Sequence, residues 1–201
     1  MTAKIKLNAA SGGGSFSLQA PSSSANTRVM TLPDTADGTI LTTTNPKAGN
    51  ILQVVQTVKT DTTTYSSVAS GAFTADVMTA AITPASTSNK ILVTCTICMQ
   101  VSTTDAGFKL NRGGTDICVG DTSGNRRPVT VAATDSGVDQ MFNLYAEFLD
   151  SPNTTSATTY GVKVTHGSSG SVDIFINQMN SGNDAKIMRP TSSLTLKEVA
   201  A

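Results

Sequence analysis

Residues 142–149 read Phe142-Asn143-Leu144-Tyr145-Ala146-Glu147-Phe148-Leu149. Phe142, Leu144, Ala146 and Phe148 fall on one side of a strict alternation, and Asn143, Tyr145, Glu147 and Leu149 on the other. That period of two is the pattern of a half-buried β-strand. Asp150-Ser151-Pro152-Asn153 ends it, because proline lacks a backbone donor and the Asp, Ser and Asn side chains can satisfy the chain locally in a turn. A second run sets Tyr160, Val162 and Val164 against Gly161, Lys163 and Thr165. After His166-Gly167-Ser168-Ser169-Gly170, a third places Val172, Ile174 and Ile176 inward with Asp173, Phe175 and Asn177 outward. Residues 142–176 are therefore expected to form a β-meander of three adjacent antiparallel strands. Its outward Tyr145, Leu149 and Phe175 are apolar for a solvent face, which makes them the candidate subunit interface.

Upstream, residues 90–101 form the longest expected strand, with Ile91, Val93, Cys95, Ile97, Met99 and Val101 on one face and a mixed set on the other. Residues 108–110 and 115–119 read as a hairpin around Asn111-Arg112-Gly113-Gly114. A strand over residues 77–83 stops at Pro84, and Val129 and Val131 begin another beyond a polar loop that carries Arg126 and Arg127. Residues 51–58 are apolar on both faces, as expected of a strand buried between two layers. Leu194 and Leu196 face inward on a closing strand over residues 193–199. Roughly nine or ten strands, separated by turns and without a crossover helix, predict an all-β chain whose residues 49–201 form a jelly-roll-type β-sandwich head.

Residues 1–48 differ. Ile5-Lys6-Leu7 and Phe16-Ser17-Leu18 are short alternating fragments joined by Ser11-Gly12-Gly13-Gly14-Ser15, and further fragments occur near residues 29–33 and 37–41. An isolated ribbon of this kind cannot bury its large apolar side chains, so the segment is expected to be an extended anchor or stalk ordered by other chains. Ile5, Leu7, Phe16 and Leu18 are the candidate docking residues. Asn45-Pro46-Lys47-Ala48-Gly49 marks the boundary with the head.

Only 14% of residues are charged and the net charge is zero, which argues against capture of nucleic acid through clustered Lys and Arg. Aromatic residues make up 4%, too few for a base-stacking groove. Three cysteines leave at least one unpaired, so a secreted disulfide framework is not expected. The start of the chain offers neither a signal peptide nor a membrane-spanning run, and no membrane insertion is expected.

Cys95-Thr96-Ile97-Cys98 has the spacing of a zinc knuckle, but a strand sends the two thiols to opposite faces and no second pair completes four ligands. The one histidine, His166, follows a strand beside glycine and serines with no nucleophile elbow. Asp116, Asp121, Asp135, Asp139 and Glu147 include no fixed carboxylate pair of the kind glycoside hydrolysis needs. No phosphate-cradling glycine motif is present. The chain is accordingly expected to be non-enzymatic and to use no metal or other cofactor. Arg126-Arg127 is too small for a nucleic-acid patch and reads first as the solvated tip of a loop; its candidate functional role is contact with a host-surface glycan or protein, an anionic glycan among them.

The segment Ile5-Lys6-Leu7-Asn8 with Ser11-Gly12-Gly13-Gly14-Ser15-Phe16-Ser17-Leu18-Gln19-Ala20-Pro21 resembles the repeated N-terminal segment of virion fibre proteins from marine tailed phages. Thr31-Leu32-Pro33-Asp34, leading to Gly38-Thr39-Ile40-Leu41-Thr42-Thr43, is similar to it too. So are Phe148-Leu149-Asp150-Ser151-Pro152 with Thr158-Thr159-Tyr160, and the closing Ser193-Leu194-Thr195-Leu196-Lys197-Glu198. The resemblance implies a homotrimeric virion appendage, made in the host cytoplasm, docked to another virion protein through its thin N-terminal region and bearing a head similar to the tumour necrosis factor-like jelly roll. Two other roles are compatible with these residues: a capsid decoration or head-fibre protein, and a surface-glycan depolymerase.

Overall fold

The computed structural model describes residues 4–19, 22–25, 27, 46–102, 105–134, 140–180 and 188–201. The chain divides into two compact units, residues 1–40 and 41–201. The fragments expected near residues 29–33 and 37–41 lie outside the described residues.

In the first unit, β1 (Lys4–Asn8) and β2 (Ser15–Gln19) pair antiparallel. The loop between them turns through Gly12 and Gly13 at φ 84° and 72°, a region that glycine enters without a Cβ clash. Ile5 pairs with Leu18 and Leu7 with Phe16. Cross-strand partners share a face, so the four candidate docking positions fall on one side of the hairpin. Ile5 and Leu7 are 65% and 59% exposed there, and Leu18 is exposed as well.

The second unit contains β3 (Ile51–Lys59), β4 (Thr63–Val68), β5 (Met78–Ile82), β6 (Lys90–Val101), β7 (Asp105–Arg112) and β8 (Thr115–Ile117). It continues with β9 (Val131–Thr134), β10 (Phe142–Asp150), β11 (Thr158–His166), β12 (Val172–Ile176) and β13 (Ser192–Val199). One sheet runs β3-β13-β6-β12-β4, with β10 also on β6; the other runs β5-β11-β7-β8, with β9 also on β7. Every pairing is antiparallel. β13 pairs with residues 90–96 of β6 and β12 with residues 99–101, while β10 covers residues 91–99. β12 and β13 therefore follow one another along one side of β6 and β10 occupies the other. Successive strands pass back and forth between the layers, which is the expected jelly-roll-type β-sandwich.

The expected meander is corrected. β10 and β12 belong to the first sheet and β11 to the second. The connections at residues 151–157 and 167–171 carry the chain across the sandwich instead of folding it back as hairpins. Alternation identifies a strand's buried face; it is silent about the neighbour. β3 is corrected as well. It is the edge of its sheet, and Ile51, Val54 and Val58 are each about half exposed or more.

The inward face of β6 behaves as read. Ile91, Val93, Cys95, Ile97 and Met99 are fully buried against Phe108, Leu110, Tyr160, Val162 and Val164 of the opposite sheet. Each such large aliphatic or aromatic side chain contributes about 1.5–3 kcal/mol by leaving water. Burial pushes the Cys95 thiol up to about 12, so it packs as a small hydrophobe.

Buried polar groups lock the end of the sandwich at which β3 begins. The Glu198 carboxylate, itself fully buried, accepts from Asn89 Nδ2 (2.6 Å), Gln53 Nε2 (2.6 Å) and the Ala85 backbone N–H (2.7 Å). Burial raises its pKa, but these three donors outweigh burial and hold it below the ordinary glutamate value. Beside it, Arg112 donates to both oxygens of Asp150 (2.8 and 2.7 Å) and Tyr160 donates its hydroxyl to Asp150 Oδ2 (2.6 Å). Burial, reinforced by the Asp150 carboxylate, pushes the Tyr160 phenol well up, so it remains a donor.

Candidate functional site

The opposite end of the sandwich is open. Pairing of Ile51 with Val199, of Val199 with Lys90 and of Asp150 with Ile91 places the start of β3 beside the locked end. β7 runs away from Arg112 at that end, so Asp105 lies about 24 Å along the strand at the other. Asp105 pairs with Thr134 of β9, and Ala106 with His166 of β11. Around these three strand ends is a cleft of about 360 Å³.

The loop between β8 and β9 forms its rim. Ser123 and Arg126 form an isolated bridge, and the Arg126 N–H donates to Ser123 O (3.1 Å). Gly124, at φ 58°, supplies the left-handed residue that closes this four-residue turn. Arg126 and Asn125 are thereby carried on the exposed turn and line the cleft. Further back, Gly120 N–H donates to Val129 O (3.2 Å), and Thr130 Oγ1 accepts from the Leu110 N–H (3.0 Å), tying the loop to β7.

The two candidate arginines have different surroundings. Arg127 is engaged: one terminal nitrogen donates to the His166 carbonyl and the other to Ser70 Oγ (2.9 Å). It joins the rim loop to the end of β11 and to the connection after β4. The Arg126 side chain has no hydrogen-bond or ion-pair partner among the described residues and stands exposed.

Asp105 is the unusual group on the floor. Among the described residues, its Oδ1 is the one buried side-chain oxygen or nitrogen with no hydrogen-bond partner. A Cβ on Gly167 would stand 2.3 Å from Asp105 Oδ2 and 2.4 Å from its Cβ, so only glycine leaves the carboxylate room. His166, 1% exposed, is held through both ring nitrogens: Nδ1 accepts from the Ser168 N–H (3.1 Å) and Nε2 donates to Val68 O (2.9 Å). The partners assign that tautomer, and the ring serves as a structural clamp. The cleft thus presents two guanidinium groups against one carboxylate, with Ala132, Ala133 and Val129 as an apolar wall.

On the outer face of the first sheet, Tyr145 and Leu149 are 55% and 51% exposed, as read. Phe175 does lie on the outward side, opposite Gln100, but its expected exposure is corrected: it is 7% exposed. Residues 177–180, directly after β12, bond back to that part of the sheet, with Gln178 Nε2 donating to Thr64 Oγ1 (2.7 Å). Asn180 N–H donates to Gln100 Oε1, and Ser192 Oγ accepts from the Cys98 N–H (2.9 Å) while donating to Asn177 Oδ1 (2.6 Å). Val54 and Val58, which sequence reasoning assigned to the interior, share the exposed face with Tyr145 and Leu149. Register connects Val54 through Lys197 and Leu92 to Leu149, and Val58 through Ser193 and Thr96 to Tyr145.

The remaining candidates are dispersed. Asp116 forms an ion pair with Lys109, Glu147 accepts from Tyr145 Oη (3.2 Å), Asp121 is exposed, and Asp135 and Asp139 lie outside the described residues. Cys95 and Cys98 occupy opposite faces of β6, and no cluster of three metal-ligating side chains occurs among the described residues. Asp105 and Gly167, which shape the cleft, escaped sequence reasoning, since a single Asp before a strand and a single Gly in a turn carry no marker of their proximity.

Neither the family models nor the curated proteins contain a match to this chain. Among solved structures, one described as "Structure of infectious bursal disease virus Gt strain" aligns with 94% of this chain at 14% identity and a TM-score of 0.40. The alignment covers 48% of that structure, so the chain spans about half its length.

Proposed function

We propose that the protein is a non-enzymatic structural component of a virion, a homotrimeric fibre or spike of a tailed phage. Residues 1–48 attach it to another virion protein and the sandwich is presented for host attachment. The observation that supports this reading most is the contrast in how the two units treat their apolar residues. The hairpin gathers Ile5, Leu7 and Leu18 on one exposed face, whereas the sandwich encloses its own core. A two-stranded hairpin is marginal in water, and an apolar face of this kind gains most by seating on another protein. The exposed face carrying Tyr145 and Leu149, extended by Val54 and Val58, is the surface available to neighbouring copies.

Sedimentation of the full chain, together with labelling of purified particles, tests the reading. Trimers in solution and label on a particle appendage are expected. A monomer, or a protein absent from particles, would overturn it, and label distributed on the capsid lattice would replace the fibre by a decoration protein.

A further inference from the structure

We infer that the cleft between Asp105, Arg126 and Thr134 is a binding site for an acidic saccharide, a sugar unit that presents a carboxylate to Arg126 and hydroxyl groups to Asp105. Its size falls within the range of small-molecule pockets, about 300–1,000 Å³. Two features of the cleft specify the ligand.

The first is the unused charge on the rim. Arg126 is held on a closed turn by backbone bonding, so its position is fixed while its guanidinium is free. Arg127 adds positive charge to the same wall even though its donors are occupied. With two guanidinium groups against one carboxylate, the cleft favours an anion, and a planar guanidinium suits a carboxylate geometrically.

The second is Asp105. A simple anion would be repelled by its carboxylate and would offer it no donor. Oδ1 itself is enclosed by protein, so hydroxyl donors brought by a ligand meet the part of the Asp105 side chain that lines the cleft. A ligand that combines an acidic group for Arg126 with hydroxyl donors for Asp105 has the chemistry of a uronic acid. Asn125 and the Thr134 hydroxyl add polar partners, and Ala132 and Ala133 offer an apolar wall to the C–H face of a ring. The site lies at the end of the sandwich remote from the start of β3. The inference deepens the attachment reading, although its test needs no particle.

The experiment is ligand-observed NMR with titration calorimetry on the full chain. The probes are glucuronate and galacturonate, their neutral parents glucose and galactose, and inorganic phosphate. Both uronates, or one of them, are expected to bind; the matching neutral sugar should bind about tenfold or more weakly, and phosphate no better than the neutral sugar. Arg126→Ala should lower uronate affinity about ten- to a hundredfold without moving the melting temperature. Asp105→Asn should weaken the uronate and the neutral sugar alike. Absence of uronate binding, uronate binding that survives Arg126→Ala, or phosphate binding equal to that of the uronates would each overturn the inference, the last by leaving an anion site alone. Because Arg126 is exposed, its variant reads the site even if Asp105→Asn does not fold. Uronate binding by a protein absent from particles would retain the inference and sink the attachment reading; trimers on particles without uronate binding would do the reverse.

Discussion

The N-terminal hairpin and the sandwich use the same alternating pattern, yet Leu7 in the hairpin is 59% exposed and Leu196 in the sandwich is fully buried. The difference lies in what stands opposite. Leu196 is enclosed because a second sheet covers its face, whereas β1 and β2 form a two-stranded sheet that leaves Ile5 and Leu7 exposed. A period of two therefore identifies a side, and the rest of the chain decides whether that side is covered. The same contrast recurs within the first sheet: Phe175 and Tyr145 both point outward by alternation, and of the two only Phe175 is buried, where residues 177–180 bond back to the sheet.

Paired substitutions make the sharpest break in this comparison. Phe175→Asp should cost the sandwich about 3–5 kcal/mol, through lost packing and an unpaired buried charge. Leu7→Asp should change the melting of the free protein by less than about 0.5 kcal/mol while abolishing its incorporation into particles. Denaturant titration reads the first effect; if Phe175→Asp melts like the parent, the burial of Phe175 fails.

Acid acts on the locked end of the sandwich. The Glu198 pKa is depressed in the folded protein, so its contribution is present above its unfolded value and is lost as pH falls through the lower folded value. Glu198→Gln supplies one acceptor oxygen where the carboxylate supplies two, and directs a donor at groups that themselves donate. The parent should be the more stable of the two near neutrality, and their melting temperatures should converge below about pH 4.5. A difference that stays constant across that range would remove Glu198 from the account.

The smallest expected effect separates the adjacent arginines. Arg127→Ala loses bonds to the His166 carbonyl and Ser70 and should cost about 1 kcal/mol. Arg126→Ala should lie within about 0.5 kcal/mol of the parent. Equal losses in thermal melts would contradict the assignment of one to structure and the other to the ligand.

Local patterns carried much of the fold. Residues 90–101 announced both the strand and its buried face, and Gly113-Gly114 announced the turn between β7 and β8, where both residues take positive φ. Strand partners were hidden, because the connection after Asp150 can fold back or cross the sandwich with equally turn-like residues. The apolar outer face of β3 was misread for a related reason: Val54 and Val58 alternate like core residues and lack only the layer that would cover them. At the cleft, Arg126-Arg127 was visible as a charged pair in a polar loop. Its counterpart Asp105 and the permissive Gly167 come from distant strand ends that only the folded sandwich brings together.

Hydrogen exchange on the free full-length protein tests the central division most directly. The account predicts that amides of β1 and β2 exchange at close to unprotected rates, while those of β6 and β11 are protected to the level of global unfolding. Hairpin amides protected as strongly as those of β6 in the free protein would contradict it.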